Sequence, residues 1–312
     1  MDRLTENKII VVSRHTRLDD LIARFNTIDQ ARFYIEHLGA DFSDYVRERE
    51  TYRAALAQTE ATLRELGRVQ TVDRSFLPNF LFGKDDTLVV LGQDGLVANT
   101  VKYLSEQPVI GVNPDPQRWD GVLLPFTVSD LQLIVPEVFA AKREVKEVTM
   151  AKAELNNGQR LLAVNDLFIG PKSHVSARYI IRIDGREEQH SSSGVIVSTG
   201  LGSTGWLKSL LAGAVGVANS LAGSDLPVSA QSSFSWDANY LLFTVREPFP
   251  SNNSAASLVF GKVTREAPLI LVSQMPENGV IFSDGIQDDF LEFGSGTRAV
   301  ITIADKKGRL VV

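Results

Sequence analysis

A chain of 312 residues, 44% hydrophobic and 22% charged, exceeds what one ordinary core holds, so two domains are expected. Its net charge of −6 offers no broad basic surface to nucleic-acid phosphates, which disfavours a nucleic-acid partner, and its lack of cysteine excludes disulfides, a thiol nucleophile and cysteine-ligated metals. No apolar run reaches the ~18 residues of a membrane span, and MDRLTENKII has neither a secretory nor a transit pattern, so a cytoplasmic protein without a membrane partner is expected.

The spacing predicts short buried strands at 8–13, 86–91 and 108–112. Helical stretches lie between them, the clearest being Thr51–Leu66 with Gly67 as its stop. This alternation predicts an α/β domain over 1–125. A helix near Val128–Ala141 then opens a β-rich, sandwich-like domain over 126–312, whose last residues are expected to pack back on the first. Arg178–Ile183 followed by Asp184-Gly185 predicts a tight hairpin. Strands are expected at Tyr240–Arg246, Ser257–Lys262, Leu269–Ser273, Val280–Phe282 and Arg298–Ile303, and Pro248–Ala255 reads as a mobile loop.

Three stretches carry chemistry. LGQDGL (91–96) follows a strand and precedes a helix beginning near Val97, so backbone N–H groups and a helix dipole can meet a phosphate there. Asp94 is out of place among anion-binding groups unless it binds Mg²⁺ or takes a proton from an attacking hydroxyl; the alternative is a plain turn. VIVSTGLGSTGW (195–206) puts glycines and hydroxyls between a strand and a helix running to about Asn219, with Trp206 able to stack on a base. It lacks the Walker lysine and the Rossmann spacing, and a Gly/Ser loop beside a core tryptophan is the alternative. In LAVNDLFIG (162–170), Asn165 and Asp166 interrupt an apolar strand and suit ribose hydroxyls, or mark a bulge or strand end. Asn113 ends a strand at the carboxyl edge of the α/β sheet. The four histidines, His15, His37, His174 and His190, lack metal spacing and read as surface or structural residues.

In this order LGQDGL, PVIGVNPDP, AVNDLFIG, SSGVIVSTGLGSTGW and FSDG resemble the NAD kinases, a family sharing its fold with diacylglycerol and sphingosine kinases. The likeness runs from about residue 8 to 290. VNPDPQRWDG, Trp206 and VREPF (245–249) look closest to the mitochondrial-type branch. The resemblance implies NAD in a cleft between the two domains, ATP as donor with Mg²⁺, and a homo-oligomer. It makes Asp94 similar to the catalytic base. It assigns nucleotide contacts to Gly92, Gly95, Asn165, Asp166, Thr204, Gly205 and Trp206; Asn113 at the sheet edge and Thr199, Gly202 and Ser203 in the glycine-rich loop are expected to join them, and no protein metal site is expected.

The chain departs from the family at Gln93 and Leu96, where Gly and Thr are usual, at Asp166 for glutamate, and at Gly200-Leu201. A positive φ at Gln93 would be strained. The departures leave open a kinase of this fold acting on another hydroxyl, such as a sugar, nucleoside or lipid, or a non-catalytic NAD-binding sensor.

Overall fold

The computed structural model describes residues 5–223 and 233–312; the first four residues of the N-terminal reading lie outside them. The chain divides into two compact units, 1–146 with 309–312, and 147–308.

Unit 1 runs β1 (Lys8–Ser13), α1 (Arg17–Phe25), α2 (Ile28–His37), α3 (Phe42–Leu66), β2 (Arg68–Asp73), β3 (Thr87–Leu91), α4 (Asp94–Val101), β4 (Val109–Asn113), β5 (Phe126–Thr127) and α5 (Leu131–Phe139). The β-branched runs predicted as buried strands are β1, β3 and β4. They pair in parallel in the order β2-β1-β3-β4, and Leu310 joins in parallel at Val109. The helix predicted from Thr51 starts nine residues earlier, because Asp41 caps it by accepting the Ser43 N–H at 2.8 Å. Gly67 follows its last residue in extended backbone, not in the left-handed form of a glycine stop. The division falls at 146/147 rather than near 125. Helix α5 buries Leu131, Ile134 and Val135 in one cluster with Tyr52, Leu63, Val89 and Ile110, so it packs with the unit that precedes it.

Unit 2 contains β6 (Val145–Leu155, from Glu147 on), β7 (Arg160–Ala163), β8 (Asp166–Pro171), β9 (Ala177–Ile183), β10 (Arg186–Ser192), β11 (Val195–Ser198), α6 (Trp206–Ala222), β12 (Leu241–Val245), β13 (Phe260–Val263), β14 (Leu269–Ser273), β15 (Gly279–Ser283), β16 (Ile286–Glu292) and most of β17 (Arg298–Val311). One antiparallel sheet has the order β13-β12-β11-β8-β15-β16. A second layer, β10-β9-β14-β17 with β6 and β7, shares its buried cluster, which includes Ile169, Tyr179, Phe243, Leu271 and Ile301. Asp184 and Gly185 close the predicted β9–β10 hairpin with φ of 49° and 73°. The stretch read as a mobile loop is tied down: Phe249 and Ala255 N–H groups donate to Ser191 and Gln189 carbonyls at 2.8 and 2.9 Å.

That loop has a second anchor. Glu188 accepts the N–H groups of Ser257 (3.1 Å) and Leu258 (2.9 Å), the Ser257 hydroxyl, and Nε2 of the buried His190 at 2.9 Å. Burial works against the charged carboxylate, but these hydrogen bonds outweigh it and hold Glu188 down at about 2, below its usual 4.5. The anchor therefore stabilises the fold above the unfolded pKa and is lost as pH falls from 4.5 towards about 2. Glu188→Gln should flatten the dependence of melting temperature on pH in that interval; an unchanged slope would count against the anchor.

Candidate functional site

Unit 1 brings the LGQDGL turn to the carboxyl end of its parallel sheet. Gln93 is the N-cap of α4 in extended backbone, φ −121° and ψ 162°, so the positive φ that would have strained it does not arise. The helix starts at Asp94 rather than near Val97, because the Gln93 carbonyl already accepts the Leu96 and Val97 N–H groups at 2.8 and 3.3 Å. A Cβ on Gly95 would meet nothing within 4 Å, so packing does not demand glycine there and the turn lies open to a ligand. A Cβ on Gly92 would meet only flexible side chains, chiefly Leu96 at 2.7 Å.

Asp94 has a structural partner that sequence alone did not reveal. Its Oδ1 accepts the Leu123 N–H at 2.8 Å and its Oδ2 the Val122 N–H at 3.2 Å. The segment it holds is also seated by Gly111, where a Cβ would lie 1.9 Å from the Leu123 carbonyl oxygen. Asn113 is buried and serves this same loop. Its amide donates to the Trp119 carbonyl at 2.9 Å and accepts the Asp115 N–H at 3.0 Å, a local role not foreseen for it. Tyr52 was also missed: its hydroxyl donates to the Leu91 carbonyl at 3.0 Å and accepts the Arg14 N–H at 2.9 Å, bracing the strand ends beneath the turn.

In unit 2 the Asn165–Asp166 pair lies at a strand junction, since β7 ends at Ala163 and β8 begins at Asp166. The glycine-rich loop packs on it. Thr199 donates its N–H to the Asn165 carbonyl (2.9 Å) and its hydroxyl to the Val164 carbonyl (2.5 Å). Gly202 is required there, because a Cβ would sit 2.2 Å from the Asn165 carbonyl oxygen. Ser203 is buried, donating to the Gly200 carbonyl at 2.7 Å. Thr199, Gly202 and Ser203 thus shape the loop from within, whereas Thr204, Gly205 and Trp206 are exposed. Glycine is required at Gly200, because the Ser235 carbonyl oxygen would lie 1.9 Å from a Cβ there.

Asn165, Asp166, Phe168, Trp206, Phe282 and Asp284 line a cavity of about 410 Å³. Phe168 lies near-parallel to Trp206 (5.9 Å, 20°) and to Phe282, its cross-strand partner (6.2 Å, 17°), forming an aromatic wall. Arg246 lies over Trp206 at 5.6 Å. Asp284 is the residue sequence reasoning quoted within FSDG without giving it a role. Asp284 and Gly285, at φ of 53° and 72°, form the left-handed pair that turns the β15–β16 hairpin, and an Asp-Gly between two apolar runs was the available signal. Burial pushes the Asp166 carboxyl up to about 7; the Ser198 hydroxyl opposes this and the Asp284 charge adds to it.

A parallel α/β unit followed by a two-layered β unit is also the fold of solved NAD kinases. An NAD kinase from Archaeoglobus fulgidus in complex with ATP matches with a TM-score of 0.56 at 15% identity, covering 98% of this chain and 93% of that one. Yeast NADH kinase complexed with NADH matches at 0.57 and 16%, covering 99% and 84%. In sequence, a probable NADH kinase of Oryza sativa subsp. japonica is 25% identical over 227 residues, 64% of this chain and 63% of that protein. An NAD kinase of Burkholderia cenocepacia is 30% identical over 138 residues, 41% and 45%. The chain thus covers less than two thirds of the length of these curated relatives. No protein-family model matches it. In fold, and over part of its sequence, the chain is similar to NAD kinases and NADH kinases.

Proposed function

We propose that the chain is an ATP-dependent NAD kinase that forms NADP by phosphorylating the 2′-hydroxyl of the adenosine ribose. The observation that carries this reading is the unit 2 pocket, which sets an aromatic wall for a flat ring beside the polar Asn165, Asp166 and Asp284 edge that suits a sugar. Thr204, Gly205 and Trp206 stand at the exposed end of the glycine-rich loop, where they can reach a nucleotide. In unit 1 the turn at Gly92 and Gly95, opening α4, suits a phosphate group. Asp94 is assigned the proton of the 2′-hydroxyl. As the 2′-oxygen bonds to the γ-phosphorus, the bond from that phosphorus to the β–γ bridging oxygen breaks and ADP leaves.

Among the described residues no group of three His, Asp or Glu side chains could hold a metal ion. Mg²⁺ is assigned to the ATP phosphates as part of the donor, where it would neutralise charge. Among the described residues no helix is long and apolar enough to cross a membrane. A cysteine-free chain fits the reducing cytoplasm, and a homo-oligomer is part of the proposal, to be read by light scattering.

The test is NADP formation by the purified chain with ATP, Mg²⁺ and NAD, with NADH in parallel. A non-catalytic dinucleotide-binding protein is the second reading, favoured by one observation: both Asp94 carboxylate oxygens already accept backbone N–H groups. NAD binding without NADP formation would select it.

A further inference from the structure

The Asn165–Asp166 step is held by the tip of the β15–β16 hairpin. Asp284 accepts N–H groups from three successive residues: Val164 at 3.0 and 3.1 Å, Asn165 at 2.7 Å and Asp166 at 3.3 Å. Its own N–H donates to the Asp166 carbonyl at 3.0 Å. These donors fix the Asp284 carboxylate beside the Asp166 side chain, where its charge opposes a second negative charge. Asp166 itself is half-buried, and its Oδ1 is buried without a hydrogen-bond partner in the wall of the pocket. An ionised carboxylate there would combine an unsatisfied buried oxygen with a like charge close by, both unfavourable.

We propose that Asp284 is a positioning residue that holds Asp166 as the neutral acid, so that Asp166 meets its ligand as a hydrogen-bond donor and not as an anion. The inference rests on the dinucleotide reading and deepens it: the group facing Asp166 is an acceptor oxygen, such as that of a ribose hydroxyl. The other elements around Asp166 do not reverse this balance. From β11 its cross-strand partner Ser198 supplies a hydroxyl. From the start of α6 the neighbour is Trp206, and the Arg246 guanidinium above that ring lies 3.7 Å from Glu247. The carboxyl group at about 7 is the value such surroundings produce, burial being the largest cause.

The experiment is calorimetric titration of the full chain with NAD, which ionises no group of its own between about pH 6 and 9, with the melting temperature of each variant measured alongside. Wild-type affinity should fall about twentyfold between about pH 6.5 and 8.5, as the donor is lost. Asp166→Asn, whose amide donates at every pH, should bind with no pH dependence and more tightly than wild type at the alkaline end. Asp284→Asn should move the midpoint of the profile to lower pH. A flat wild-type profile, or loss of NAD binding by a folded Asp166→Asn, overturns the inference while leaving the dinucleotide reading in place. No NAD binding by the wild type at any pH overturns both.

Discussion

Asp94→Asn is expected to lower NADP formation by about 10²- to 10⁴-fold, the loss typical of removing a general base, while NAD binding changes little. The structure gives this residue one role and the proposed function gives it another, and the variant separates them. As a structural acceptor it holds the Val122 and Leu123 N–H groups. An asparagine oxygen can keep the Leu123 bond, but its NH₂ group then faces the Val122 N–H, and an unmatched donor costs about 1 to 3 kcal/mol. The melting temperature should therefore fall modestly. Turnover, measured well below that temperature on protein shown to be folded, should fall far more than this loss explains. If the folded variant keeps more than about a tenth of wild-type activity, Asp94 is a structural acceptor and the base lies elsewhere.

Gly111→Ala is expected to be the most damaging single-methyl change in unit 1. The new Cβ would lie 1.9 Å from the Leu123 carbonyl oxygen, 3.0 Å from its carbon and 3.2 Å from the Leu124 Cα, all backbone atoms with no rotamer to escape into. Either β4 distorts or the 121–124 segment is displaced. Overpacking of this kind costs about 3 kcal/mol or more. Because the same segment supplies both N–H groups to Asp94, activity should fall with stability. Urea unfolding beside the kinase assay measures both. Gly95→Ala is the control, since its Cβ meets nothing and should leave folding intact. A Gly111→Ala protein as stable as wild type would mean that the close approach is not a constraint.

Both predictions concern contacts between residues far apart in the chain, and these set the limit of what could be read from the sequence. The buried β-branched runs at 8–13, 86–91 and 108–112 declare themselves, because a parallel strand covered on both faces tolerates little else. The Asp184-Gly185 hairpin is equally local. The start of α3 was misplaced because its cap, Asp41, stands ahead of a charged first half with weak apolar periodicity. Asn165 and Asp166 stood out as polar residues in an apolar stretch, but the reason they stay in place, Asp284, lies 118 residues further on from Asp166. Asn113 illustrates the converse: its position at a strand end marked it as a ligand contact, yet its amide serves its own loop. Asp94 was marked for its chemistry, and its partners at 122 and 123 left no sequence signal at all.

Residues 309–312 belong with unit 1, and Leu310 adds to the parallel sheet at Val109. On the ribosome these residues emerge after everything in unit 2, whereas domains otherwise tend to mature in the order in which they are made. Unit 1 therefore waits with one position along β4 unpaired until translation has passed residue 308. Its neighbour can acquire native structure earlier, although it is synthesised later.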